Sequence, residues 1–437
     1  MLRTMGRSMR MLNGLASSKL VERLGMTETL ERVLYHGSRR GAATALEAAR
    51  RARPMLELLS PARMQSSEAS AGAELFDLTL SDSQQLVRDS MQRFAKERLR
   101  PSAIEADERG EPPPGLLAEA HALGLSQLAV PEALGGAGEQ RSPITNVLVA
   151  EELARGDMGL ALAALAPLGV VHALVDYGTA EQQGAYLPSF AGDDPYPAAL
   201  ALLEARPLFD PHRLATRATL RDGEYQISGE KSLVPLAQDA ELFLVFADLL
   251  GKAQAFIVER GTPGLHIEPE PAMGMRAAKL GRIRLQQVRV PLRARLGGEQ
   301  GCDAERVVDL ARIAWGAMAV GTCDALLEYV KGYCAERIAF GEPIVYRQSV
   351  AFAIANIAIE LDALRLMVYR AASRAERGQP FRREAGLLRV QCADKAMQIG
   401  TDGVQLLGGH GFIKEHPVEL WYRQLRAVAI FEGALLV

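Results

Sequence analysis

Apolar positions along this 437-residue chain change period twice, and the changes divide it into helical, β and helical parts. Residues 1–60 suggest two or three amphipathic helices: Ser18–Met26, Thr27–Tyr35 and an Ala/Arg-rich one from Ala42 to Leu59. The small, polar run 60–73 reads as a linker. A second start follows at Ser81, a helix N-cap with Gln84 three residues on to complete a capping box. From there to about Leu187 the spacing is helical, with Leu86, Met91, Phe94 and Ala95 as a buried stripe. Pro112–Gly115 and Gly135–Gly138 break it; the second cluster follows no strand, so it is a loop and not a dinucleotide fingerprint. Residues 213–234 then read as a hairpin around Asp222-Gly223, with further β runs at 241–249, 254–259 and 282–290. From Asp303 the helical period returns at 305–335, 346–376 and 382–407, and with a shorter last helix this suits a four-helix bundle.

The expected organisation is therefore a helical extension and linker (1–74), an N-terminal α domain (75–195), a small central β-barrel-like domain (196–300) and a C-terminal helical bundle (301–437). This is an α+β multi-domain fold. A formal net charge of −3 gives no case for nucleic-acid binding. No uninterrupted apolar run is expected to be long enough to span a bilayer. Cys302, Cys323, Cys334 and Cys392 form no CxxC pair and fall in helical stretches, as buried free thiols do in a reducing compartment. The seven histidines fall in no HxxxH or HExxH pattern, so no metal site is expected. Residues 1–20 carry Arg3, Arg7, Arg10 and Lys19 without an acid. That suits a mitochondrial transit peptide or, the reading preferred here for want of a cleavage site, the basic first helix of a bacterial cytoplasmic protein.

Candidate chemistry gathers near the C-terminus. Asp402-Gly403-Val404-Gln405-Leu406-Leu407-Gly408-Gly409-His410-Gly411-Phe412 is followed by Pro417-Val418-Glu419, Arg423 and Ile430-Phe431-Glu432-Gly433. Upstream stand Tyr177–Gln183 with Tyr186-Leu187-Pro188, then Met273–Arg276, Val288–Pro291, and Glu336–Ile344 with Gln348. In this order they resemble the motifs of the acyl-CoA dehydrogenases, over roughly residues 76–434. The helix–sheet–helix layout is also that family's.

The resemblance implies a flavoprotein that binds FAD and dehydrogenates an acyl-CoA thioester across its α,β bond. Glu432 then removes the α-proton. The apolar neighbours Ala429, Ile430 and Phe431 are expected to raise its pKa by desolvation. Gly433 lets the backbone turn and lies at the substrate. In some relatives the base sits on the first bundle helix, but here the matching residue is Ala311, which leaves Glu432 alone. Asp309 and Arg312 resemble a pair near the thioester. Arg337, Phe340, Gln348 and Gln405, Leu406, Leu407, Gly408 and Gly409 resemble the set that reaches the FAD of a neighbouring subunit. A homodimer or homotetramer is implied, with an electron-transferring flavoprotein as partner.

Elsewhere the chain departs from the family's pattern. Where hydroxyls and glycines meet the flavin ring, it has Leu203-Glu204-Ala205-Arg206-Pro207-Leu208-Phe209-Asp210. Leu233 replaces an aromatic residue, Pro235 a threonine, and Gln424 an aspartate. Leu208 and Phe209 are expected to add bulk there. Two alternatives follow: a partner subunit of a hetero-oligomer that completes a related chain's FAD site, or a non-redox acyl-CoA-binding pseudoenzyme.

Overall fold

The computed structural model describes residues 79–138 and 141–437; the helices and linker expected before them lie outside the described residues. Helix α1 (Asp82–Phe94) opens on the expected capping box, with the Ser81 hydroxyl accepting from the Gln84 amide and the Gln84 side chain accepting from the Ser81 amide. It continues through a π-helical turn into α2 (Arg100–Arg109). Met91, Phe94 and Ala95 are buried as expected, but Leu86 is 72% exposed and lies off the stripe. Short helices α3 (Leu116–His121) and α4 (Leu125–Ala129) precede the Gly135–Gly138 loop, and α5 (Pro143–Gly156), α6 (Met158–Tyr177) and α7 (Ala180–Phe190) complete the layer.

Helix α6 is apolar on all sides because every side is covered, by α5, by the sheet and by the turn at 276–278. The expectation about membrane-length runs is corrected here. By length and composition, α6 and the later helix Ala304–Glu336 could each cross a membrane, yet 83% of the most apolar stretch of each is buried within the protein.

The middle of the chain is one seven-stranded sheet: β1 (Ala198–Ala201), β2 (Arg217–Arg221), β3 (Glu224–Val234), β4 (Leu242–Leu249), β5 (Lys252–Glu259), β6 (Leu265–Pro269) and β7 (Gly281–Pro291). The β2–β3 hairpin turns at Asp222-Gly223, both at positive φ as a two-residue turn demands. Strand β4 pairs in parallel with β1 and antiparallel with β5, and β7 lies between β3 and β6. Side chains of β1 and β4 alternate between two cores. Leu200, Leu242 and Leu244 join the large core shared with the helices, while Ala199, Ala201, Phe243 and Val245 pack on the other face.

The bundle consists of α8 (Ala304–Glu336), α9 (Gln348–Glu376), α10 (Arg382–Leu407) and α11 (Val418–Leu425). A small hairpin, β8 (Ile338–Ala339) and β9 (Glu342–Pro343), joins the first two. Helix α8 packs on α5, α9 and α10. At Gly321 a Cβ would stand 1.9 Å from the Glu151 carbonyl, so only glycine allows the α5–α8 approach. All four cysteines are buried and free.

Candidate active site

Glu432 sits just past the last helical turn, where Ile430 and Phe431 both donate backbone bonds to the Ala427 carbonyl. Two bundle helices aim side chains at this turn. Helix α8 presents Asp309, Arg312 and Trp315 at three-residue spacing, one face of successive turns. Trp315 is buried, packs at a tilt with its ring centroid 4.7 Å from that of Phe431, and donates its indole N–H to the Gly433 carbonyl at 2.9 Å. Arg312 holds the Glu432 carboxylate with both arms of its fork, Nε to Oε2 and Nη2 to Oε1, each at 3.2 Å. Helix α10 adds Arg389, whose Nε donates to Glu432 Oε1 at 3.1 Å and whose Nη2 donates to the Ala429 carbonyl at 2.9 Å. Glu432 is 7% exposed. The expected apolar setting is thus corrected: two guanidinium groups meet the carboxylate, because α8 and α10 converge there.

Asp309 lies 3.6 Å from the far arm of Arg312, as the i,i+3 spacing anticipates. Burial pushes its carboxyl up to about 6, with Arg312 pulling the other way. Gly433 has φ +75°, and a Cβ there would approach Leu202 Cβ to 2.9 Å and Leu200 Cδ2 to 3.0 Å. Conformation and space both require glycine, which lets the residue after Glu432 lie directly on the end of β1.

The second set of expected residues lies elsewhere. Arg337 ends α8, Phe340 is the 96% exposed tip of the β8–β9 turn, and Gln348 begins α9; all face solvent. At the end of α10, Gln405, Gly408 and Gly409 are exposed, whereas Leu406 and Leu407 are buried and serve the core. No atom of the described residues lies within 4 Å of a Cβ at either Gly408 or Gly409. A 2.8 Å bond from Tyr333 to His410 Nδ1 ties the two chain segments together at this end of the bundle. From Arg312 to Arg337 a helix rises about 37 Å. The structure therefore brings Asp309, Arg312, Glu432 and Gly433 together, and places the other set at the opposite end of α8.

The sheet-side departures have structural partners. Glu204 and the fully buried Lys231 form a 3.0 Å ion pair, and Glu204 also accepts from the Ala215 and Thr216 amides. Burial presses the Glu204 carboxyl upward, but Lys231 and the two amides outweigh it and hold it below the usual range. The Lys231 ammonium is pushed down to about 8 by burial, with Glu204 opposing. Leu208 is fully exposed at φ 52° and Phe209 lies beside the Arg206 guanidinium, so the added bulk expected there is corrected for Leu208. The Leu233 amide donates to Glu270 Oε2 at 2.7 Å, and Pro235 is buried. Gln424 is buried and donates to Asp157 Oδ2 at 2.6 Å; an aspartate at 424 would oppose a second buried carboxylate. A cavity of about 490 Å³ borders the chain just beyond Gly433, lined by Leu165, Leu168 and His172 of α6 and by Leu435–Val437.

Sequence reasoning missed Arg389 and Trp315. Trp315 could have been found one turn beyond Arg312 on the same face; Arg389 belongs to no motif and meets its partner 43 residues later.

Three family models match the chain: the N-terminal domain of acyl-CoA dehydrogenase over residues 81–194, its middle domain over 199–288 and its C-terminal domain over 303–435. A probable acyl-CoA dehydrogenase of Bacillus subtilis is 33% identical over 366 residues, covering 81% of this chain and 95% of the relative. Among solved structures, the butyryl-CoA dehydrogenase of Megasphaera elsdenii is similar at TM-score 0.74 and 30% identity, covering 82% of this chain and 96% of that one. An FAD complex of PigA is similar at TM-score 0.75 and 26% identity, with the same coverage.

Proposed function

The chain belongs to the acyl-CoA dehydrogenase family, and from that membership we propose that it oxidises an acyl-CoA thioester between its α- and β-carbons with Glu432 as the base. It is an oxidoreductase of that family, and its cofactor is FAD. One observation carries the assignment of the base: the single buried carboxylate at the family's position stands at a turn fixed from two helices. Three guanidinium N–H groups occupy three of the carboxylate's roughly four lone-pair sites, which leaves Oε2 room to take a proton. The resemblance assigns its backbone N–H to the thioester oxygen. Asp309 and Arg312 would border the thioester, and Gly433 would let the substrate approach the backbone.

The residues at the far end of α8 fit the phosphate and adenosine end of FAD. They comprise a guanidinium, two side-chain amides and two glycines with open space above them, all exposed. When bound, FAD supplies the acceptor for the β-hydride. Arg312 and Arg337 stand about 37 Å apart along one helix, and the resemblance assigns Arg337, Gln348, Gln405, Gly408 and Gly409 to the cofactor of another subunit. A homodimer or homotetramer follows, with an electron-transferring flavoprotein as electron acceptor. The bacterial cytoplasm is the proposed compartment, as for its bacterial relatives, with the mitochondrial matrix as alternative.

A second reading, a subunit that completes a related chain's FAD site, is favoured by the sheet side, where Glu270 already engages the Leu233 amide and Pro235 has none to offer. Flavin per chain after gel filtration separates the two. One FAD per chain in the isolated protein supports the enzyme acting alone; flavin acquired only on co-expression with a relative supports the second. For the base, anaerobic bleaching of bound flavin by acyl-CoA should slow by about 10²–10⁴-fold in Glu432→Gln. Bleaching at the wild-type rate excludes Glu432.

A further inference from the structure

We propose that Arg389 is a positioning residue for the reaction: it fixes both the carboxylate of Glu432 and the turn that carries it. The inference rests on the reading of Glu432 as base. Among the described residues, Arg389 is the one side chain that bonds to the Glu432 carboxylate and to the backbone of its turn, through Nε to Oε1 at 3.1 Å and Nη2 to the Ala429 carbonyl at 2.9 Å. Trp315 ties the Gly433 carbonyl on the other side at 2.9 Å. The backbone is thus held before and after the base, from two different helices.

The two arginines have different duties once the carboxylate changes charge. On taking the α-proton, Glu432 becomes a neutral acid and its two ion pairs vanish, while the electron pair stays on the thioester as an enolate. Arg312 keeps Asp309 as partner, 3.6 Å away. Arg389 keeps the Ala429 carbonyl. Neither guanidinium is stranded without a partner, and the turn stays in register through the transfer. A lysine could not do this, since one ammonium lacks the planar fork that meets both acceptors. The remaining arm, Nη1 of Arg389, is buried without a partner. A buried donor left unpaired is a stability cost, which a residue kept for packing alone does not explain.

The test separates proton transfer from oxidation. Holoenzyme in D₂O is given an acyl-CoA with sulfur in place of the β-carbon, so no hydride can leave. Exchange of the α-hydrogen is followed by NMR, and affinity for the same analogue by calorimetry. Glu432→Gln should abolish exchange; wild-type exchange in that variant would refute the base assignment itself, whatever Arg389 does. With Glu432 upheld, Arg389→Met should lower the exchange rate by about 30- to 100-fold, with affinity changed by less than about threefold. Added methylguanidinium should restore part of the rate. Arg389→Lys, which keeps the charge should the first variant fail to fold, should remain at least about tenfold below wild type. Wild-type exchange in either variant overturns the proposal. So does a parallel loss of affinity and exchange that methylguanidinium does not relieve, since that is the mark of a merely structural arginine.

Discussion

The two ends of α8 treat their polar groups in opposite ways. Around Arg312 the charged groups that meet Glu432 are turned inward and bonded: Glu432 to two arginines, Arg312 to two carboxylates, Arg389 to a carboxylate and a carbonyl. Around Arg337 the guanidinium, the Gln348 and Gln405 amides and two glycine backbones face solvent. Packing explains the first end, because α8 and α10 converge with the last turn there and leave carboxylates that must be paired. Nothing among the described residues requires the second. A site complete in itself and a site that awaits another subunit's ligand should look like this, and the contrast supports placing the base and the dinucleotide contacts of one chain at two different cofactors.

Changes at the buried end should give the largest effects. Beyond Glu432→Gln, the sharpest is Gly433→Ala. It meets both a φ of +75° and a Leu202 Cβ at 2.9 Å, so about 1–3 kcal/mol of stability should be lost, read by urea unfolding. Moving the base by about an ångström should also cost roughly 100-fold in turnover. At the exposed end, Arg337→Ala should leave unfolding unchanged and weaken FAD about 10- to 100-fold, the worth of a charge-assisted bond of about 1.5–3 kcal/mol, by equilibrium titration. Should both variants instead unfold the protein alike, the contrast between the ends collapses.

A separate effect concerns Asp157, the buried partner of Gln424. Asp157 is fully buried, and burial raises its carboxyl to about 6 from an ordinary 3.8. Between those values the folded protein binds more protons than the unfolded chain. Stability should therefore fall as pH rises from about 4 to 6 and stay at the lower level above that. Asp157→Asn keeps the cap on Leu160 and should flatten this fall, by up to about 3 kcal/mol by linkage. Unfolding curves at pH 4, 5, 6 and 7 measure it; an unchanged slope would mean that Gln424 already cancels the cost of burial.

Periodicity located the long helices and the β2–β3 hairpin because their patterns are local. Strand β1, Ala198–Ala201, was invisible, since four apolar residues buried on both faces carry no alternation. Helix α6 hid its length behind composition, as a helix covered on all sides has no polar face to mark it. Asp309 and Arg312 were legible as an i,i+3 pair, and Glu432 through its motif. The two-arginine setting was not, because Arg389 reaches the turn only when α10 packs beside α8. Nor could the chain's order reveal that Gln424 answers Asp157, 267 residues earlier.

The claim that one chain's base works with another chain's Arg337 can be tested by mixing two dead variants. Glu432→Gln and Arg337→Ala are each assayed alone at an FAD concentration low enough to leave the second variant largely without cofactor, then produced together from two differently tagged copies and assayed at the same FAD concentration. If the sites form across subunits, a mixed dimer holds one site with both residues intact and one with neither. Random pairing makes half the dimers mixed, so turnover per chain should recover to about a quarter of wild type. If both residues instead serve the same chain's cofactor, no mixed dimer contains an intact site, and activity that never rises above the average of the two variants would contradict the account.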